Sequence, residues 1–109
     1  MAETIASPSQ LFPAAGVRSD LYTVPVNTRA VVSSLVACNQ TAMRGQFSLS
    51  VAVAGAVDEA KQYLYRQQTI GPYSTFVATL GGTLGPGDVV RVWSDNGHMA
   101  FTLFKAEVA

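Results

Sequence analysis

The stretch QFSLSVAVA, residues 46–54, decides the fold of this chain. Apolar side chains alternate there with small or polar ones, and the apolar set consists of Phe47, Leu49, Val51 and Val53. A strict period of two places successive side chains on opposite faces of a β-strand. We therefore expect a strand whose apolar set faces a core.

Similar short runs fill nearly everything after Asp20, and Gly, Pro, Asn and Asp separate them. The predicted strands cover residues 21–24, 29–39, 46–54, 62–68, 74–80, 89–94 and 98–108. Residues 55–61 predict a loop with a short helical turn, and Gly81-Gly82 predicts a strand end. No segment predicts a helix long enough to connect parallel strands. The pattern therefore predicts an all-β antiparallel sandwich of about seven or eight strands.

Residues 1–20 follow no sustained period, and prolines interrupt any helix or central strand there. The segment nevertheless contains four apolar residues that a purely solvated tail would avoid, namely Ile5, Leu11, Phe12 and Val17. One interpretation is a disordered tail. The other, which we adopt, is an extended N-terminal arm that uses these residues to contact its own domain or a neighbouring subunit. The sandwich domain then covers residues 21–109.

The predicted strand over residues 29–39 is apolar in both of its phases. One phase contains Val31, Leu35 and Ala37, and the other contains Val32, Val36 and Cys38. One sandwich core can cover only one phase, so the arm or another subunit must cover the other. We take Val31, Leu35 and Ala37 as the interface strand, with Val32 and Val36 as the alternative set.

Composition excludes several classes of function. Seven basic and seven acidic residues cancel, and the basic residues form no run, so the electrostatic footprint of a nucleic-acid binder is missing. No apolar run reaches the length of about 18 residues that a membrane helix needs, and the N-terminus does not resemble a signal peptide. Only 13% of the residues are charged, against roughly 25% in ordinary soluble domains. A surface with so few charges is easily buried against other subunits.

Few residues could carry chemistry. His98 is the only histidine and Cys38 the only cysteine. A single cysteine cannot form a disulfide within the chain, which suits a reducing compartment. A nucleophilic site needs a base, a nucleophile and usually an acid, and no spacing assigns Asp88 or Asp95 to that acid. Zinc needs three or four ligands, and the spacing of the acidic turns matches no calcium loop. We expect no enzymatic activity, no metal and no cofactor.

The aromatic residues offer an alternative function. Those on or near predicted strands are Tyr22, Tyr63, Tyr65, Tyr73 and Trp93. Such side chains could form a platform on which sugars stack, although packing in a core or an interface is the more common use of strand aromatics. A carbohydrate-binding β-sandwich module is therefore kept as an alternative.

The order of the motifs resembles a family of small virion proteins of tailed bacteriophages. The motifs are LYTVP at 21–25, TRAVVSSLVACN at 28–39, FSLSV at 47–51, QYLY at 62–65, TLGPGDVVRV at 83–92 and FTLF at 101–104. Together they span about four-fifths of the chain, and residues 1–20 have no counterpart.

This resemblance implies a non-enzymatic structural protein of the phage virion, assembled in the cytoplasm of the bacterial host. Our first expectation is a capsid decoration (cement) protein, and a tail or fibre accessory protein is the alternative. The implied partners are copies of the chain itself, arranged as a trimer, and other phage structural proteins such as the major capsid protein. We expect neither nucleic acid nor membrane as a partner.

Overall fold

The structure is a computed structural model that describes residues 3–5, 8–57 and 59–108, with the backbone alone described for residues 3–5. Its strands are β1 (Glu3–Ile5), β2 (Ser9–Leu11), β3 (Ser19–Thr23), β4 (Arg29–Asn39), β5 (Gly45–Ala52), β6 (Tyr63–Ile70), β7 (Thr75–Leu84), β8 (Val89–Ser94) and β9 (Met99–Val108). Two 3₁₀ turns, Val53–Gly55 and Ala60–Gln62, lie between β5 and β6. Within these residues, no helix has the length and apolarity to span a membrane.

The strands form two antiparallel sheets. In the first sheet the order is β1-β9-β4-β7, and β2 also pairs with β9; in the second sheet it is β3-β8-β5-β6. Ile5 lies opposite Ala106 and Ser9 lies opposite Leu103, so β1 and β2 follow one another along β9. The nine strands therefore occupy eight rows. The predicted all-β antiparallel sandwich is confirmed.

The core lies between the sheets and is centred on Phe47. Its ring centroid lies 6.1 Å from that of Tyr65, 5.7 Å from that of Phe76 and 5.8 Å from that of Phe101. Leu49 is fully buried and Val51 packs against the core from a partly buried position. The predicted inward register of β5 is therefore right for these residues.

Val53 was expected to continue the inward set, and that expectation is wrong. Its side chain is 70% exposed, because β5 ends at Ala52 and the chain turns at Val53–Gly55. Ala54 has a φ of 55° inside that turn. The alternation in the sequence therefore continues beyond the strand that it describes.

The predicted strand boundaries are accurate for β4 and β8 and less accurate for β7. Residues 81 and 82 do not end β7, which continues to Leu84. Gly81 has a φ of +63°, a conformation that glycine adopts without steric cost, so the strand bulges there and does not stop. β3 begins at Ser19, two residues before the predicted start of the sandwich domain at Leu21.

A β-bulge in β4 changes which residues face the core. The register of β4 shifts between Val32 and Ser34 against both of its neighbours. Before the bulge Ala30 and Val32 are buried, and after it Leu35 and Ala37 are buried. The bulge at Ser33 thus reverses the alternation in the middle of the strand.

Asn39 joins three loops at one end of the sandwich. Its side chain is fully buried, and its amide nitrogen donates to the backbone oxygens of Met43 at 2.9 Å and Gly71 at 3.1 Å. Its side-chain oxygen accepts from Nδ2 of Asn96 at 3.3 Å. A buried amide with these partners fixes the loops that connect β4–β5, β6–β7 and β8–β9.

Truncating Leu49 and Val53 to alanine separates the true strand from its apparent continuation. Leu49→Ala should lower the free energy of unfolding by about 2–5 kcal/mol, because it leaves a cavity in the core. Val53→Ala should change it by less than about 0.5 kcal/mol, as expected of an exposed side chain. Urea unfolding at 25 °C measures both. Equal effects of the two substitutions would contradict the described end of β5.

Candidate functional site

The N-terminal arm lies along its own domain. The backbones of β1 and β2 pair with β9, and Leu11 packs against the core from a partly buried position. Phe12 is 53% exposed and Val17 is 49% exposed. The side chain of Ile5 lies outside the described residues. Of the four predicted contact residues, Leu11 therefore contacts its own sandwich, while Phe12 and Val17 remain accessible to a partner.

The predicted interface strand needs a correction. Leu35 and Ala37 are fully buried in the core, so they cannot contact another subunit. Val31 is 41% exposed on the opposite face. The bulge at Ser33 is the physical reason, because it separates Val31 from the phase that it would share with Leu35 in a regular strand. Val36 and Cys38 of the alternative phase accompany Val31 on the outer face.

Among the described side chains of β4, β7 and β9, the outer face of the first sheet carries no charge between its two ends. Its residues alternate with the core residues of the same three strands, and we call this surface the uncharged face. It consists of Val31, Ser34, Val36 and Cys38 on β4, Thr75, Val77, Thr79 and Thr83 on β7, and Ala100, Thr102, Phe104 and Ala106 on β9. Arg29, the first residue of β4, stands at its rim.

The register places these residues in rows across the three strands. Ser34 lies between Thr79 and Phe104, and the next row on one side has Val36 between Val77 and Thr102. Val77 is 58% exposed and Phe104 is 41% exposed. The face therefore presents large apolar groups among hydroxyl and methyl groups.

A shallow hollow of about 370 Å³ continues the uncharged face towards the arm. It is lined by Gln10, Leu11, Phe12, Ala100, Phe101 and Thr102. The arm and the uncharged face thus adjoin across this hollow.

The residues weighed for chemistry are not brought together. Asp88 precedes β8 and Asp95 follows it, so the two carboxylates lie at opposite ends of one strand. Each binds backbone: Asp88 accepts from the N–H groups of Ala54 and Gly85 at 2.8 Å, and Asp95 accepts from that of Gln46 at 2.9 Å. These carboxylates therefore shape turns.

The single histidine and cysteine have ordinary surroundings. His98 is exposed, and its backbone N–H donates to Oδ1 of Asn96 at 2.8 Å in the hairpin turn. Cys38 is half-buried on the uncharged face and forms no disulfide. Across the part of the chain that the structure describes, no three His, Cys, Asp or Glu residues are grouped so that they could hold a metal ion.

The aromatic residues do not form one platform. Tyr65 packs against the core from a partly buried position, with its ring centroid 5.4 Å from that of Phe76, and Tyr73 is 72% exposed in the turn before β7. Tyr63 and Trp93 approach each other through Arg18. The guanidinium of Arg18 lies 5.6 Å from the centroid of the Trp93 ring, and its Nε donates to the Tyr63 hydroxyl at 3.2 Å.

Arginine side chains also occupy the faces of these two rings. The guanidinium of Arg66 lies 5.1 Å from the centroid of the Tyr63 ring, and Arg18 covers Trp93 as described. A sugar stacks on an open aromatic face, so this arrangement does not favour the carbohydrate-binding alternative.

Tyr22 joins the two sheets near the end of β9. Its hydroxyl donates to Oε2 of Glu107 at 2.5 Å, and Nζ of Lys105 lies 4.6 Å from the centroid of its ring. Burial raises the pKa of Tyr22 well above its ordinary value of about 10, and the hydrogen bond to Glu107 and the charge of Glu107 raise it further. These contacts connect β3 to β9, the strand with which the arm also pairs.

Comparison with known proteins leaves the family open. No protein-family model matches the chain, and no curated protein matches it.

The pKa of Tyr22 predicts how stability depends on pH. Above about pH 10 the tyrosine ionises in the unfolded chain, while the folded protein keeps it protonated. The unfolded state then binds fewer protons, so the free energy of unfolding falls as the pH rises from about 10 towards the raised pKa. Tyr22→Phe should remove this contribution and make the decline shallower. At pH 7 the variant should be less stable by about 1.5–3 kcal/mol, since a hydrogen bond to a charged group is lost.

Urea unfolding at pH 7, 9.5 and 11 measures both effects. Tyr73→Phe is the matched control, because Tyr73 is exposed at the surface. If Tyr22→Phe and the parent protein lose stability equally between pH 9.5 and 11, the environment assigned to Tyr22 is wrong.

Proposed function

We propose that this chain is a non-enzymatic structural protein of a bacteriophage particle. Its specific role in this proposal is that of a capsid decoration (cement) protein, which stabilises the head through contacts between subunits. The observation that carries the proposal is the uncharged face, which exposes Val31, Val77 and Phe104.

The physical argument concerns the cost of covering a surface. Burying an unpaired charge is expensive, so a face meant to remain in water is normally lined with charged residues, and one meant to be covered is not. The uncharged face would bury hydroxyl, methyl and aromatic groups with little desolvation cost. At about 25 cal/mol per Å², covering a side chain such as Phe104 stabilises a contact by about 1.5–3 kcal/mol.

The assignment to a phage particle comes from the resemblance to small virion proteins of tailed bacteriophages. Its motifs include the strand over 28–39 and the closing FTLF at 101–104, which contribute Val31, Val36 and Phe104 to the face. In the arm, Phe12 lines the hollow next to this face, and the side chain of Val17 is also accessible. A decoration protein that contacts several subunits through a face and an arm would hold them together, since all contacts must break before it leaves.

Phe104→Asp tests this proposal on particles. Virions purified from the phage that encodes the chain should contain the protein in many copies, as seen by mass spectrometry. Added Phe104→Asp protein should rebind stripped particles roughly 10-fold to 100-fold more weakly than the parent protein, because a buried aromatic contact is lost and a charge is desolvated.

Leu64→Asp is the matched control, because Leu64 is an exposed apolar residue of the second sheet, at 55%. It should rebind as the parent protein does. Absence of the chain from purified virions would contradict the proposal, and so would equal rebinding of the Phe104→Asp and Leu64→Asp proteins.

A further inference from the structure

The edges of the two sheets differ in how they resist pairing with a foreign strand. An edge strand presents unpaired backbone N–H and C=O groups, and proteins commonly protect it by shortness, charge, proline or a bulge. Four rows form the edges here: β1 with β2, β3, β6 and β7. Three of these rows carry such features.

The first of these protected rows is the arm, in which two three-residue strands are separated by a segment that contains Pro8. β3 has five residues, an irregular register at Leu21, and Asp20 paired with Arg91 at 3.1 Å. β6 has two register shifts against β5, an exposed Arg66, and Gln67 at a φ of 55°. Each edge is therefore short, charged or distorted.

β7 has none of these features over its first half. It is ten residues long, with the sequence TFVATLGGTL, and contains neither a charged residue nor proline. Its register against β4 is regular from Thr75 to Thr79, and the only bulge lies beyond, at Gly81. The exposed residues of this stretch, Thr75, Val77 and Thr79, also belong to the uncharged face.

We propose that β7 is a pairing edge, at which β7 of a second copy of the chain adds in antiparallel orientation across a two-fold axis. The inference deepens the proposed function and rests on it for the identity of the partner. It adds the element through which copies of the chain meet and the symmetry of their contact.

Self-pairing follows from the composition of the strand. Across a two-fold axis each residue meets a residue of the same strand, and the residue on the axis meets its own copy, so a charge at that position would face a like charge. In β7 every cross-strand pair, in any register, joins uncharged residues, and the regular stretch contains Thr, Phe and Val, which have high β-propensity. The same contact would pair the outward backbone N–H and C=O groups of β7 in both copies. It would also join the two uncharged faces into one continuous surface.

This contact predicts a dimer, whereas the resemblance implies a trimer. A two-fold contact between identical strands closes after two copies, and a three-fold ring needs two different surfaces on each copy. The mass of the assembled protein distinguishes them.

Val77→Lys tests the pairing edge. Sedimentation at micromolar concentration, with a reductant present to keep Cys38 free, should give the parent protein twice the mass of the 11.5 kDa chain. The regular stretch from Thr75 to Thr79 is centred on Val77, and pairing Thr75 with Thr79 of the second copy places the two substituted positions opposite each other. The two added charges should then raise the dissociation constant at least about tenfold. Val31→Lys is the matched control, because it places the same charge on the same face but on β4, and it should remain a dimer.

Hydrogen exchange supplies a second readout that does not depend on a substitution. In the parent protein, amides of residues 75–80 should exchange faster on dilution below the dissociation constant, while those of β4 should not change. A mass of one or three chains overturns the inference, and so does equal dimerisation of the Val77→Lys and Val31→Lys proteins. Failure of the dimeric parent protein to rebind stripped particles would instead count against the proposed function and leave the pairing edge in place.

Discussion

The bulge at Ser33 determines which side chains of the first sheet are buried and which are presented. The three strands differ in how many unpaired residues separate the two regular halves of the sheet. There are none in β9, one in β4 (Ser33) and two in β7 (Leu80 and Gly81). One extra residue reverses the alternation of a strand and two restore it. Only β4 therefore switches phase, and its two halves contribute Val32 and Leu35 to the same core.

The uncharged face is the other consequence of this switch. With the phase reversed, Val31 and Val36 share the outer surface with Phe104 of β9. A strand that is apolar in both phases usually lies between two covering layers. Here one layer is the core, and in the proposed function neighbouring subunits form the other. In the two proposals, the uncharged face would contact the particle and the edge strand β7 would pair with β7 of a second copy of the chain.

Most of the fold could be predicted from the sequence because period-two alternation reports burial directly. Phe47 and Leu49 have the predicted orientation, and β4 and β8 have the predicted bounds. The errors occur where the backbone departs from a regular strand. Val53 continues the pattern beyond the end of β5, and Gly81 allows a bulge where glycine usually marks a turn.

The site was less predictable for the same reason. Leu35 and Ala37 were assigned to an interface because an uninterrupted strand would place them with Val31. The pair Ser33-Ser34 is the only local signal of the bulge, since it interrupts an otherwise apolar run. Edge strands are also invisible to a periodic pattern, because strand order depends on contacts between distant segments. The exposure of β7 therefore required the three-dimensional structure.

Cys38 is a native probe of whether the uncharged face is covered in the assembled particle. This single cysteine is half-buried on the face and forms no disulfide. Its rate of reaction with a small thiol reagent can be measured on the free protein and on the protein bound to particles. The account predicts a reaction that slows by roughly tenfold or more on the particle, as expected when water and reagent are excluded from a packed contact. Equal rates in the two states would contradict it.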